Sequence, residues 1–181
     1  GTLTTLKDGV DILIESFAGI SDKFPDLNLV LIGKGESEKI EIMLKESVNR
    51  LNITNRVFFL GQISRNEVPA YMTNAKILAL ARPSSMVADA GFPSKLTEYL
   101  ATGKPVVVTK VGEIPVYLKD NENAFLSEPD NKDTFADKME YIICNYDFAL
   151  NVASKGKELT DIVFNYNYQA KRMLDFVNSF R

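Results

Sequence analysis

The segment Gly91-Phe92-Pro93-Ser94-Lys95-Leu96-Thr97-Glu98-Tyr99 gathers the residue types best suited to chemistry. Pro93 has no backbone N–H and suits the beginning of a helix. Ser94 is of a type that caps helices, and the free N–H groups of a first turn point outward to anions. Lys95 adds a cation at the end where the helix dipole is already positive. Lysine is unfavourable there for the helix itself, so its presence suggests that an anion is expected. Glu98 lies about 6 Å further along the axis, at roughly 1.5 Å per residue, on the face of Ser94. A phosphate at the helix start, with a hydroxylated sugar one turn along, fits this spacing. An ordinary capped helix with surface charges fits the same residues.

A second candidate is Gly33-Lys34-Gly35, between an apolar run and a helical pattern. Two residues without side chains let backbone approach a ligand closely where a helix begins. Glu38 stands where a third glycine would complete the dinucleotide fingerprint, which argues against a nicotinamide enzyme. A tight strand-to-helix turn accounts for the two glycines equally well.

Composition removes other chemistries. The 181 residues contain no histidine and one cysteine, so they cannot build a Ser-His-Asp or Cys-His centre, a disulfide or a thiolate metal site. The formal net charge is −3, which does not supply the basic face that nucleic acid requires. No apolar run approaches the roughly 20 residues that span a bilayer. With 45% apolar and 25% charged residues, the chain can bury a sizeable core. The opening Gly1-Thr2-Leu3, without methionine or a secretion signal, reads as a piece of something longer.

Elements must position these residues, and strand-like and helix-period segments alternate along the chain. Val10, Leu13, Ile14, Phe17 and Ala18 form the stripe of an amphipathic helix. Residues 27–32 and 57–60 read as strands buried on both faces, each stopped by glycine. Residues 66–73 predict a short helix, 77–80 a strand and 81–93 an irregular stretch. Residues 94–100 form a helix stopped at Gly103, before the strand of Val106, Val107 and Val108. A short helix at 114–118, a strand at 124–126 and a long helix carrying Phe135, Met139 and Ile142 follow. Cys144, on that helix, is expected in the core. The pattern predicts a parallel Rossmann-like α/β sheet with helices on both faces and a helical tail, with ligand beyond the carboxyl ends of the strands. In the tail, Tyr166, Tyr168, Met173, Phe176 and Val177 could pack on the chain's own body or against another domain.

Lys7-Asp8-Gly9-Val10-Asp11, Leu31-Ile32-Gly33-Lys34-Gly35, Val57-Phe58-Phe59-Leu60-Gly61, Pro93-Ser94-Lys95-Leu96-Thr97-Glu98-Tyr99 and Gly103-Lys104-Pro105-Val106-Val107 occur in this order. Over nearly the whole chain this resembles the C-terminal, donor-binding half of a group 1 (family 4) retaining glycosyltransferase. The stretch from Pro93 to Val108 is the most specific part. The resemblance implies the GT-B fold, a nucleotide-sugar donor such as a UDP- or GDP-sugar, retention of configuration, and no cofactor or catalytic metal. The absence of an Asp-x-Asp triplet agrees with the last point. It implies that Lys7 neutralises the diphosphate and that Gly33 and Gly35 admit the nucleotide. Gly61 and Gln62 would lie by the base, Ser94, Lys95 and Leu96 would bind phosphate, and Glu98 would hold the ribose hydroxyls. Residues 1–160 would form the nucleotide-sugar-binding domain. Residues 161–181 would form a C-terminal helix against the N-terminal, acceptor-binding domain of the full-length protein.

Two positions depart from the family pattern. Ala90 stands where the first of two glutamates eight positions apart would be, with Asp89 adjacent but out of register, and Thr2 stands where a basic residue would follow the first glycine. The expected function is hexosyl transfer in bacterial surface polysaccharide or glycolipid synthesis, cytoplasmic or peripheral to the membrane through the full-length protein. The expected catalytic residues are not identified, and the isolated piece would be inactive without its other half. A non-catalytic nucleotide-sugar-binding module and half of a sugar-nucleotide epimerase are the alternatives.

Overall fold

The computed structural model describes residues 1–180. In chain order its elements are β1 (Thr2–Leu3), α1 (Val10–Ser21), β2 (Leu29–Ile32), β3 (Lys34–Gly35), α2 (Glu38–Arg50), β4 (Val57–Gly61), α3 (Val68–Asn74), β5 (Leu78–Leu80) and α4 (Met86–Asp89). There follow α5 (Ser94–Ala101), β6 (Val106–Thr109), α6 (Ile114–Tyr117), β7 (Phe125–Ser127), α7 (Lys132–Cys144), α8 (Tyr146–Ile162) and α9 (Tyr166–Asn178). The strand ladders, β1 with β3, β2 with β4, and β5-β6-β7, are all parallel. Parallel neighbours need crossover connections, which gathers the carboxyl ends of the strands, and the loops leaving them, at one edge.

Strand β6 shows how the sheet is held. Val107 packs into a core with Ile14, Phe17, Phe125 and Phe135 from α1, β7 and α7. Val106 and Val108 point into a second core with Leu96, Leu100, Ile114 and Leu118 from α5, α6 and the residue after it. Both faces are covered, which is why this strand reads as an unbroken apolar run. Leu96 and Leu100, both essentially without exposure, fix α5 on the second core. The rings of Phe92, Tyr117 and Phe164 meet beside it, with centroids 5.3–5.5 Å apart.

Strands β2 and β4 are less buried than their sequence suggests. Val30 and Phe58 are register partners, and both stand exposed, as Leu60 does. The pair buries Leu31 and Val57 on one face and leaves the other open, so these strands alternate in burial. Cys144 is exposed rather than part of the core. Helix α7 buries Phe135, Ala136, Met139 and Ile142, and a residue two positions beyond Ile142 falls on the opposite side of a 3.6-residue helix. The stretch 81–93 is interrupted by the single turn of α4, capped by Ser85 Oγ accepting from Ala88 N at 3.1 Å.

Helix α9 buries none of its residues, and exposes Tyr166, Met173, Leu174 and Phe176 at 63–80%. Its apolar residues do not pack on the chain's own body. Ending the chain at Asn165 is therefore expected to move the thermal midpoint by less than about 3 °C, because little apolar surface is lost from water-excluded contact. A drop of ten degrees in a calorimetric scan would show that α9 braces the domain.

Candidate nucleotide-binding site

The start of α5 is unlike those of α2, α4 and α7. Those three spend side-chain acceptors on their first N–H groups: Ser37, Ser85 and Asn131 each accept from the turn that follows. Helix α5 is preceded by Pro93 and has no side-chain cap. Ser94 is thus its first helical residue rather than its cap, because Pro93 in extended backbone takes the half-in position. The N–H of Leu96 donates to the carbonyl of Pro93 at 2.9 Å, and its side chain is buried in the core. The first-turn N–H groups of Ser94 and Lys95 are the ones left to face outward.

Lys95 does not extend freely into solvent. Its Nζ lies 2.9 Å from Asp8 Oδ2, with the lysine side chain 34% and the aspartate side chain 7% exposed. Asp8 belongs to the loop between β1 and α1, where its backbone N–H donates to Thr4 Oγ1 at 3.0 Å. This loop also carries Lys7, which is exposed. Glu98, one turn into α5, is exposed and makes no hydrogen bond or ion pair among the described residues. Burial pushes the Tyr99 hydroxyl up to about 12, with further pushes from the carboxylates of Asp8 and then Glu98. Asp8, Lys95 and Glu98 therefore share one patch around α5.

The glycines form a second group. Gly33 N donates to Gly61 O at 2.8 Å, joining the end of β2 to the end of β4. At Gly33 the chain passes from pairing with β4 to pairing with β1, with φ +142, and a Cβ there would lie 2.1 Å from Gly1 O. A Cβ on Gly35 would meet Glu41 Cβ and Ser37 O, each at 2.9 Å. At both positions the close approach is made by the protein's own backbone and side chains. Gly61, with φ +65, faces open space, and Gln62 beside it is exposed. The ion pair joins the Lys7–Asp8 loop to α5, and the Gly33–Gly61 bond joins the glycine turns.

Arg82 and Asp89 lie beside this region, the first buried and the second exposed. Arg82, two residues past β5, is 1% exposed, and its Nη2 donates to Ala88 O at 2.9 Å. Its carbonyl accepts from Thr109 Oγ1 at 2.6 Å, which ties it to the end of β6. Asp89 Oδ1 accepts from Gly112 N at 3.1 Å. Sequence reasoning did not single out Asp8 or Arg82 as part of the site. A charge within two residues of a buried strand's end, as at Arg82, is the signal that marks one of them.

Parallel β ladders flanked by helices, with β6 covered on both faces, define a Rossmann-like α/β domain. Residues 3–159 match the family model for glycosyl transferases group 1. The chain is 30% identical over 156 residues to an uncharacterized glycosyltransferase of Methanocaldococcus jannaschii, covering 85% of this chain and 40% of that protein. It is 22% identical over 174 residues to the GDP-mannose-dependent alpha-(1-6)-phosphatidylinositol monomannoside mannosyltransferase of Mycobacterium tuberculosis, covering 94% and 44%. The C-terminal domain of the group 1 family protein LpcC from Francisella tularensis superposes with a TM-score of 0.78 at 26% identity, covering 89% of this chain and 81% of that one. Anabaena HepE, solved in complex with UDP and glucose, gives 0.86 at 22%, covering 99% and 47%. The chain belongs to the group 1 glycosyltransferases, with the fold of the C-terminal Rossmann-like domain of GT-B enzymes. It spans less than half the length of these curated relatives.

Proposed function

We propose that this domain holds the nucleotide-sugar donor of a retaining glycosyltransferase that works without a catalytic metal. One observation carries the reading: Lys95 is fixed at the uncapped start of α5, with Glu98 one turn along the same helix. The diphosphate meets the first-turn N–H groups of Ser94 and Lys95, the Lys95 ammonium and Lys7 of the neighbouring loop. Charge developing on the departing nucleoside diphosphate is then met by groups already in place. Glu98, without a protein partner, accepts from the ribose hydroxyls, and Gly61 and Gln62 border the base. Gly33 and Gly35 shape the turn along which the nucleotide lies.

Residues 1–160 form the donor domain, and α9 in residues 161–181 offers its exposed apolar residues to the acceptor-binding domain of the longer protein. The UDP and glucose of HepE and the GDP-mannose of the mycobacterial relative support a UDP- or GDP-hexose as donor. A cytoplasmic enzyme that meets membranes peripherally through the full-length protein is part of this reading; no described helix is long and apolar enough to cross a membrane. Bacterial surface polysaccharide or glycolipid synthesis is the setting this reading favours.

Glu98→Ala separates sugar from phosphate recognition. UDP and GDP binding is expected to weaken about tenfold, while pyrophosphate binding stays unchanged, because a charge-assisted pair of hydrogen bonds is worth roughly 1.5–3 kcal/mol. Titration calorimetry showing equal losses for all three, or none for the nucleotides, would refute the assignment. Ala90, with Asp89 turned to the Gly112 N–H, favours the non-catalytic module as the second reading. Donor hydrolysis or transfer by the full-length protein excludes it.

A further inference from the structure

Two buried ionic groups near α5 are left half-satisfied. Arg82 uses Nη2 on Ala88 O, while its buried Nε and Nη1 have no partner. Asp8 gives Oδ2 to Lys95, while its buried Oδ1 has none. Burial draws the Arg82 pKa down, and the charge that opposes this most is the Asp8 carboxylate, followed by Asp89. Guanidinium keeps its proton in proteins, so the remedy for its burial is a counter-charge rather than neutralisation. The backbone explains why Asp8 supplies it. Gly9 lies so close to Ala81 that a Cβ would stand 1.8 Å from the Ala81 carbonyl oxygen. The residues flanking this contact are Asp8 and Arg82. Asp8 thus pairs directly with the cation at the start of α5, while the Gly9–Ala81 contact keeps its backbone near that of Arg82 without an ion pair between the two side chains.

We propose that Asp8 and Arg82 are positioning residues for Lys95: the Asp8 carboxylate fixes the Lys95 ammonium at the mouth of α5, and Arg82 offsets the negative charge that this places near an incoming diphosphate. The trio carries a net charge of about +1, from two cations and one carboxylate. A lysine held by one hydrogen bond keeps two donors for phosphate and loses less side-chain freedom when the ligand arrives. The role rests on the reading of Lys95 as the diphosphate contact.

The test is a double-mutant cycle on the 181-residue chain, with pyrophosphate and UDP as probes in titration calorimetry. Asp8→Asn and Lys95→Met are each expected to weaken both probes about 30-fold, and the double variant no more than either alone, since coupled residues are not additive. If Lys95→Met leaves both probes unaffected, the donor-site reading fails and the positioning role with it. If Lys95→Met weakens binding while Asp8→Asn does not, or if the losses add, the positioning role alone is overturned. Tighter binding by Asp8→Asn overturns it too, because the carboxylate would then be competing with phosphate for the lysine. Should Asp8→Asn prove unfolded by circular dichroism, the cycle is run with Arg82→Gln and Lys95→Met. Loss of pyrophosphate binding coupled to Lys95 sustains the role, and additive or absent loss overturns it.

Discussion

Gly9→Ala is expected to remove more than about 4 kcal/mol of stability, a large part of the roughly 5–15 kcal/mol typical of a domain. Two effects combine. Gly9 has φ +62 and ψ 41, a left-handed conformation that costs an L-residue about 1–2 kcal/mol. Its new Cβ would also stand 1.8 Å from Ala81 O and 2.7 Å from Ala81 C, atoms of backbone at the end of β5 that cannot rotate away. Relief requires α1 to lift from β5, where Ile14 and Phe17 pack into the core shared with Val107. Gly61→Ala is the control, because φ is +65 but no atom lies within 4 Å of the added carbon. Urea unfolding should separate the two by about 3 kcal/mol or more. Equal midpoints would mean that the contact with Ala81 is not rigid.

Lys95→Ala should weaken UDP binding about 30-fold, or ~2 kcal/mol at 1.4 kcal/mol per decade. Affinity for UDP should fall with rising salt in the parent chain and less steeply in the variant, since exposed charge attraction is screened. Removing the lysine also leaves the buried Asp8 carboxylate without its partner, so a loss of stability accompanies the loss of affinity. Unchanged affinity with an unchanged salt slope would place the diphosphate elsewhere.

Much of the architecture was legible because it is periodic. The α1 stripe from Val10 to Ala18 and the apolar run of β6 each report burial through local spacing, and the structure places both as read. Two-residue strands carry no period, so β1 and β3 escaped notice. The burial of β2 and β4 was overstated because an apolar run does not show whether anything covers its second face. Cys144 is exposed because its angle on α7, two residues past the buried Ile142, outweighs the preference of cysteine for burial. At the candidate site, composition and spacing single out Ser94, Lys95 and Glu98 but fit an ordinary helix start as well, and the resemblance to the family is what favours a ligand there. The pairing of Lys95 with Asp8 could not be read from either, because it depends on the fit of Gly9 against Ala81 across the sheet. Pairings of that kind exist only once the chain has closed on itself.

The three rings beside α5 carry one further consequence. Phe92 precedes Ser94 by two residues, and Phe164 precedes Tyr166, where α9 begins, by the same interval. Edge and tilted aromatic contacts of this kind are worth about 0.5–1.5 kcal/mol per pair. Swinging α9 about its root therefore works against ring contacts whose other members stand at the approach to Ser94. The outermost helix is thereby tethered at its root to the ring cluster that precedes α5.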